Sequence, residues 1–111
     1  MINFEKWHGN GNDFVIINSI EQSIELKKSF IKKISDRNEG IGFDQLIVIG
    51  LPTKYDHDFF VRFYNSDSSE ASMCLNGIRC ASSYIWKNSL APIKKIFFKT
   101  KHVDIKCFPE N

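Results

Sequence analysis

Asn65-Ser-Asp-Ser-Ser-Glu-Ala-Ser-Met-Cys74-Leu-Asn-Gly-Ile-Arg79-Cys80 is the most informative stretch of this sequence. It opens with short polar side chains, Asn65 to Ser69, each able to bond to nearby backbone, a composition that favours turns and helix starts. It closes as the beginning of a helix, read from about Ser72 to Lys87, in which Met73, Ile78, Ala81, Ile85 and Trp86 are compatible with a largely buried element. Cys74 is thereby expected in the first turn. Helix starts carry unpaired N–H groups and the positive end of the helix dipole. Both stabilise a thiolate and make a cysteine there a useful base or nucleophile. The same N–H groups form an anion site for a carboxylate, and Asn76 and Gly77 follow with a side-chain amide and a flexible backbone.

Outward from this stretch, the chain reads as alternating short elements. Ile2–Trp7 and Phe14–Ile17 are expected strands on either side of the turn His8-Gly-Asn-Gly-Asn12. Leu26, Phe30 and Ile34 fall at helical spacing within a helix expected from about Ser23 to Ser35. A glycine-containing loop, Asp36–Asp44, leads to expected strands Gln45–Ile49 and Phe59–Tyr64. After the second helix come Ile96–Thr100 and Val103–Phe108. The order β-β-α-β-β-α-β-β is an α+β pattern in one domain, residues 1–111, with no internal linker or repeat. Its last strand needs a further partner or becomes an exposed edge.

Three blocks, in order, resemble the diaminopimelate epimerase family. The Asn65–Cys80 stretch is similar to that family's Asn-x-Asp-Gly-Ser-Glu turn leading into Cys-Gly-Asn-Gly-x-Arg. His8-Gly-Asn-Gly-Asn-Asp-Phe14 resembles its His-Gly-x-Gly-Asn-Asp-Phe, and Gly40-Ile-Gly-Phe-Asp-Gln45 its Gly-x-Gly-x-Asp loop. The resemblance covers nearly the whole chain but only the first half of the family's protein. It implies a mostly antiparallel, barrel-like sheet around a central helix. It also implies epimerisation of LL- to meso-2,6-diaminopimelate, a step toward lysine and peptidoglycan, with no cofactor and no metal. Stereochemical inversion needs a base on one face of the α-carbon and an acid on the other, and the family takes one cysteine from each half. Carried over, Cys74 is the catalytic residue of this half. Asn12, Gln45, Asn65 and Asn76 match substrate-binding positions, and the N–H groups of Leu75 and Asn76 match the carboxylate site.

Two family glycines are replaced, by Ser68 and Leu75, and a leucine side chain beside a carboxylate site predicts weaker substrate binding. No second Cys-Gly-Thr-Gly-like block follows. Cys80 lies about 240° around and about 9 Å along the helix from Cys74, so the two cannot flank one substrate. Cys80 is therefore expected to be structural, and so is Cys107, which lies in an expected strand with no supporting motif. The partners implied are an amino-acid substrate and either a C-terminal half or a second copy in a homodimer. A non-catalytic amino-acid-binding remnant and a related racemase or isomerase are the competing readings.

The remaining signals exclude other classes. Fifteen basic and 13 acidic residues give a net charge of +2, too near neutral to argue for nucleic acid. The lysines at 27, 28, 32 and 33 and those from 94 to 106 read as solvated surface. His8, His57 and His102 show no metal spacing, and a Cys74–His8 hydrolase pair has no motif behind it. Neither glycine pair continues as a nucleotide loop. No apolar run is long enough for a membrane helix. An odd cysteine count without a signal-like N-terminus points to a reducing cytoplasm.

Overall fold

The computed structural model describes residues 2–22, 24–72 and 74–110. The elements are β1 (Glu5–Gly9), β2 (Asn12–Asn18), α1 (Lys28–Ser35), β3 (Gln45–Gly50), β4 (Phe59–Asn65), β5 (Glu70–Ala71), α2 (Leu75–Lys87), β6 (Ile96–Lys99) and β7 (Asp104–Cys107). They build one mixed sheet of order β1-β2-β3-β4-β6-β7, with β5 paired to β4. β2 runs parallel to β3 and β4 parallel to β6, and the other pairings are antiparallel. The parallel pairs have a simple cause. Each spans a crossover containing a helix, α1 in the first and α2 in the second, and parallel neighbours need such a crossover.

The two helices cover opposite faces. Alternation along β2, β3 and β4 sends Phe14, Ile16, Ile47, Ile49, Val61 and Phe63 to one face, where Ile78, Ala81 and Ile85 of α2 meet them. Val15, Ile17, Leu46 and Val48 point the other way, against Ile31 of α1 and Phe43. β2 and β3 are buried on both faces, which explains their near-continuous apolar sequences.

The expected barrel-like closure is corrected: the sheet is open. Closure requires the end strands to find partners, yet β1 and β7 stand at opposite ends and β7 pairs only with β6 among the described residues. The α+β, mostly antiparallel character holds, but α2 lies on one face of an open sheet rather than inside a barrel. Helix starts differ too. Ile24 and Leu26 reach the α1 core from extended chain before the helix, as their spacing of two allows, and Lys27 at the N-cap is itself extended. Ser23 and Met73 lie outside the described residues. The short β5, Glu70–Ala71, falls between the polar turn Asn65–Ser69 and the expected helix, where the sequence shows no strand.

Candidate active site

Cys74 is not in the first turn of α2 but at its N-cap, with extended backbone (φ −126°, ψ 121°). Its carbonyl accepts the first helical bond, from the Ile78 N–H at 2.9 Å. The N–H groups of Leu75, Asn76 and Gly77 therefore precede the first helical donor, and no side chain caps them. Cys74 is a free cysteine, partly buried and packed against the core on the α2 face.

The helix start is pressed onto the sheet by the smallness of Gly77. A Cβ there would sit 3.0 Å from Phe63 Cε1 and 3.2 Å from Ile47 Cδ1. Another side chain would push α2, and Cys74 with it, away from the sheet. The β1–β2 turn reaches the same place. Asn10 and Gly11 both have positive φ (48° and 84°), as a two-residue hairpin turn requires. Asn10 Nδ2 donates to Asn76 Oδ1 at 3.1 Å.

Sheet register brings in the other polar residues. β2 and β3 begin, and antiparallel β4 ends, at the same edge of the sheet, with Gln45 level with both Phe14 and Asn65. Asn12, Gln45 and Asn65 therefore share side-chain parity with Phe14, Ile47 and Phe63 and point to the α2 face. Gln45 Nε2 donates to Asn65 Oδ1 at 3.2 Å, while Gln45 Oε1 is buried without a partner. Asn65 Nδ2 in turn donates to Ser69 Oγ at 3.1 Å. Buried polar atoms are nearly always bonded, so the orphaned Oε1 is an acceptor available to an incoming N–H.

One site element escaped the sequence reading. The Asp13 carboxylate is buried and receives Arg37 through both oxygens (2.9 and 3.0 Å), Lys6 Nζ at 3.0 Å and the Asp44 N–H at 2.8 Å. Asp44 Oδ2 accepts the Asp13 N–H at 3.0 Å in return. This staple joins the residues that directly follow Asn12 and precede Gln45. The Arg37 guanidinium above all, opposed by burial and then aided by Lys6, holds the Asp13 carboxyl far below the usual carboxylate range. The signal was present: a charged residue heading an otherwise apolar buried strand.

Leu75, by contrast, does not join this polar group through its side chain, which is half-exposed and lines a groove between α2 and β7. Cys80 Sγ lies 4.0 Å from the His8 carbonyl. Burial, and secondarily the nearby Cys74, pushes its thiol up. Burial also pushes Cys107 up, against a Ser82 hydrogen bond and Arg79. Ser68 adopts φ 76°, the conformation a glycine would take more easily. Among the described residues no group of three His, Cys, Asp or Glu side chains is placed to hold a metal.

Residues 4–107 match the family model for diaminopimelate epimerase. The chain belongs to the diaminopimelate epimerase family. Over 101 residues it is 44% identical to the diaminopimelate epimerase of Psychrobacter sp. (strain PRwf-1), covering 91% of this chain and 34% of that protein. Over 101 residues it is 39% identical to the enzyme of Pseudomonas entomophila (strain L48), covering 91% and 37%. The chain thus spans about a third of the length of these diaminopimelate epimerases. Among solved structures, a methylitaconate-delta-isomerase superposes with TM-score 0.73 at 14% identity, covering 99% of this chain and 60% of that one. A PhzF-family phenazine biosynthesis protein of Bacillus anthracis gives 0.64 at 15% identity, covering 95% and 33%. At such identities these two share the fold of the diaminopimelate epimerase family domain seen here. No helix among the described residues is long and apolar enough to cross a membrane.

Proposed function

We propose that this chain, as a single domain, supplies one half of a cofactor-independent epimerase site for LL- and meso-2,6-diaminopimelate. The Cys74 thiolate removes or returns the α-proton on one face of the substrate. The N–H groups of Leu75 and Asn76 hold the α-carboxylate, where the dipole and donors oppose the negative charge that builds as the proton leaves. Asn12, Gln45, Asn65 and Asn76 bind the substrate's polar groups, with Gln45 Oε1 as acceptor for an ammonium. The convergence of a free, partly buried cysteine, uncapped helix N–H groups and a wall of amides carries this reading.

A complementary C-terminal half supplies the acid on the opposite face. That arrangement suits the substrate better than two identical copies, because the reacting and distal ends differ. The odd number of cysteines supports a reducing, cytoplasmic setting for this work. The runner-up is a site that binds an amino acid without turning it over, favoured by Leu75 where the family has glycine.

The test is α-proton exchange in D2O with the second half present. Cys74 takes the substrate proton, exchanges it with solvent and returns deuterium, so label enters the α-position of the stereoisomer it faces. Cys74→Ala is expected to abolish the wash-in. Persistence of label in that variant would overturn the role of Cys74, and binding without exchange in the unaltered chain would favour the runner-up.

A further inference from the structure

We infer that His57 is a pH-operated latch on the β3–β4 loop, holding the loop shut while its ring is neutral and releasing Thr53 when the ring takes a second proton. His57 precedes β4 at the end opposite Asn65 and lies outside the proposed epimerase site. It is buried, whereas His8 and His102 are exposed. Both ring nitrogens are committed. Nε2 accepts the Thr53 N–H at 2.8 Å, with Thr53 Oγ1 at 3.2 Å, and Nδ1 lies 2.8 Å from Asp56 Oδ1. A backbone N–H only donates, so Nε2 carries no proton here. The proton of the neutral ring is therefore assigned to Nδ1, which donates to Asp56.

A second proton enters at Nε2 and points at the Thr53 N–H. Two donors cannot share that position, so the hydrogen bond is lost on protonation. Thr53 Oγ1 is the acceptor left to Nε2–H. Asp56 makes the charged ring attainable despite its burial. The His57 hydrogen bond holds the Asp56 carboxyl below its usual range, so it stays ionised and accepts more strongly from a positive ring. Other charged groups surround the ring. Asp104 and Lys106 of β7 line the same cavity of about 220 Å³, and the charge of Lys99 on β6 acts on Asp56. Asp58 is already engaged: its carboxylate accepts the Phe97 N–H at 2.8 Å and its own N–H donates to the Phe97 carbonyl at 2.8 Å. That pair ties the chain to β6 one residue beyond the latch. Opening therefore stops at Asp58 and leaves the sheet paired, while the exposed run Leu51–Asp56 comes loose.

The test is NMR of the full chain between about pH 8 and about pH 5, the span in which histidines titrate. The His57 ring nitrogens should show the Nδ1–H tautomer at the upper end and a doubly protonated ring at the lower. With the same midpoint, Thr53 should lose at least ~10-fold of its amide protection against hydrogen exchange, the scale of one hydrogen bond, while the amides of β4 keep theirs. His57→Gln retains an acceptor for Thr53 but cannot titrate, so its Thr53 protection should be the same at both ends. A proton on Nε2 at pH 8, a ring that stays neutral down to about pH 5, or Thr53 protection that does not follow the ring's titration overturns the latch. So does an equal pH-dependent loss of Thr53 protection in His57→Gln, which would assign the opening to another group.

Discussion

The two ends of the sheet are finished to different degrees. At the β1 end, Glu5 accepts from Lys87 at 3.2 Å and Asn88 at 3.1 Å, fastening the edge strand to the last turn of α2. Asn10 reaches Asn76 at the first turn, so β1 and its turn are pinned to both ends of the helix. At the other end, β7 touches the same helix across a groove, with Ile105 and Cys107 half-covered and Phe108 outside. The difference teaches where this domain is self-sufficient. The β1–β4 side, which carries every proposed amide ligand on the sheet, is fastened to α2 by the chain's own side chains.

Truncations on the two sides give the largest contrast. Phe63 is fully buried where β4 meets Gly77, and Phe63→Ala should cost about 3–5 kcal/mol. Ile105 on β7 is half-covered, so Ile105→Ala in the chain alone should cost about 1 kcal/mol or less. Urea unfolding of the two variants checks this. Equal losses would erase the distinction between the two ends.

Asp13 sharpens the picture from the charged side. Its folded pKa is lowered by Arg37 and Lys6. Its contribution is therefore complete above the unfolded carboxylate value near about 3.9 and is lost as pH falls from there toward the folded value. Asp13→Asn should cost about 2 kcal/mol at neutral pH and flatten the acid limb of stability against pH. Denaturant midpoints measured from pH 7 down to 2 give both quantities, and parallel curves for the two proteins would deny the staple its role.

Much of this was legible in the sequence because it is local. The strand runs Phe14–Ile17 and Gln45–Ile49 are apolar on both faces, and double-sided burial needs no partner information to read. Cys74 was found by its expected place in the first turn of a helix, although the structure puts it at the N-cap, where Gly77 lets the helix start lie close to Phe63 and Ile47. The convergence of Asn12, Gln45 and Asn65 required register between strands, which pairing over long separations sets. The open sheet was illegible for a related reason. Closure is decided by whether β1 and β7 meet, and neither strand carries that information alone. The Asp13–Arg37–Asp44 staple combines residues up to 31 positions apart, and the charge heading the apolar β2 run marks Asp13 without naming its partners.

The smallest expected effect lies in the turn that feeds the site. Ser68 is buried at φ 76°, between β4 and β5, where its N–H donates to the Asn65 carbonyl at 2.9 Å. A non-glycine residue in the left-handed region costs about 1–2 kcal/mol, and glycine gives back part of that through greater unfolded-state entropy. Ser68→Gly should therefore stabilise the chain by about 0.5–1 kcal/mol, seen as a higher urea midpoint with unchanged slope. The gain belongs to the finished side of the sheet and should persist whether or not the β7 groove is covered. A lower midpoint would mean that the buried serine side chain holds the turn more strongly than its backbone resists it, and that the β4–β5 turn is fitted to serine.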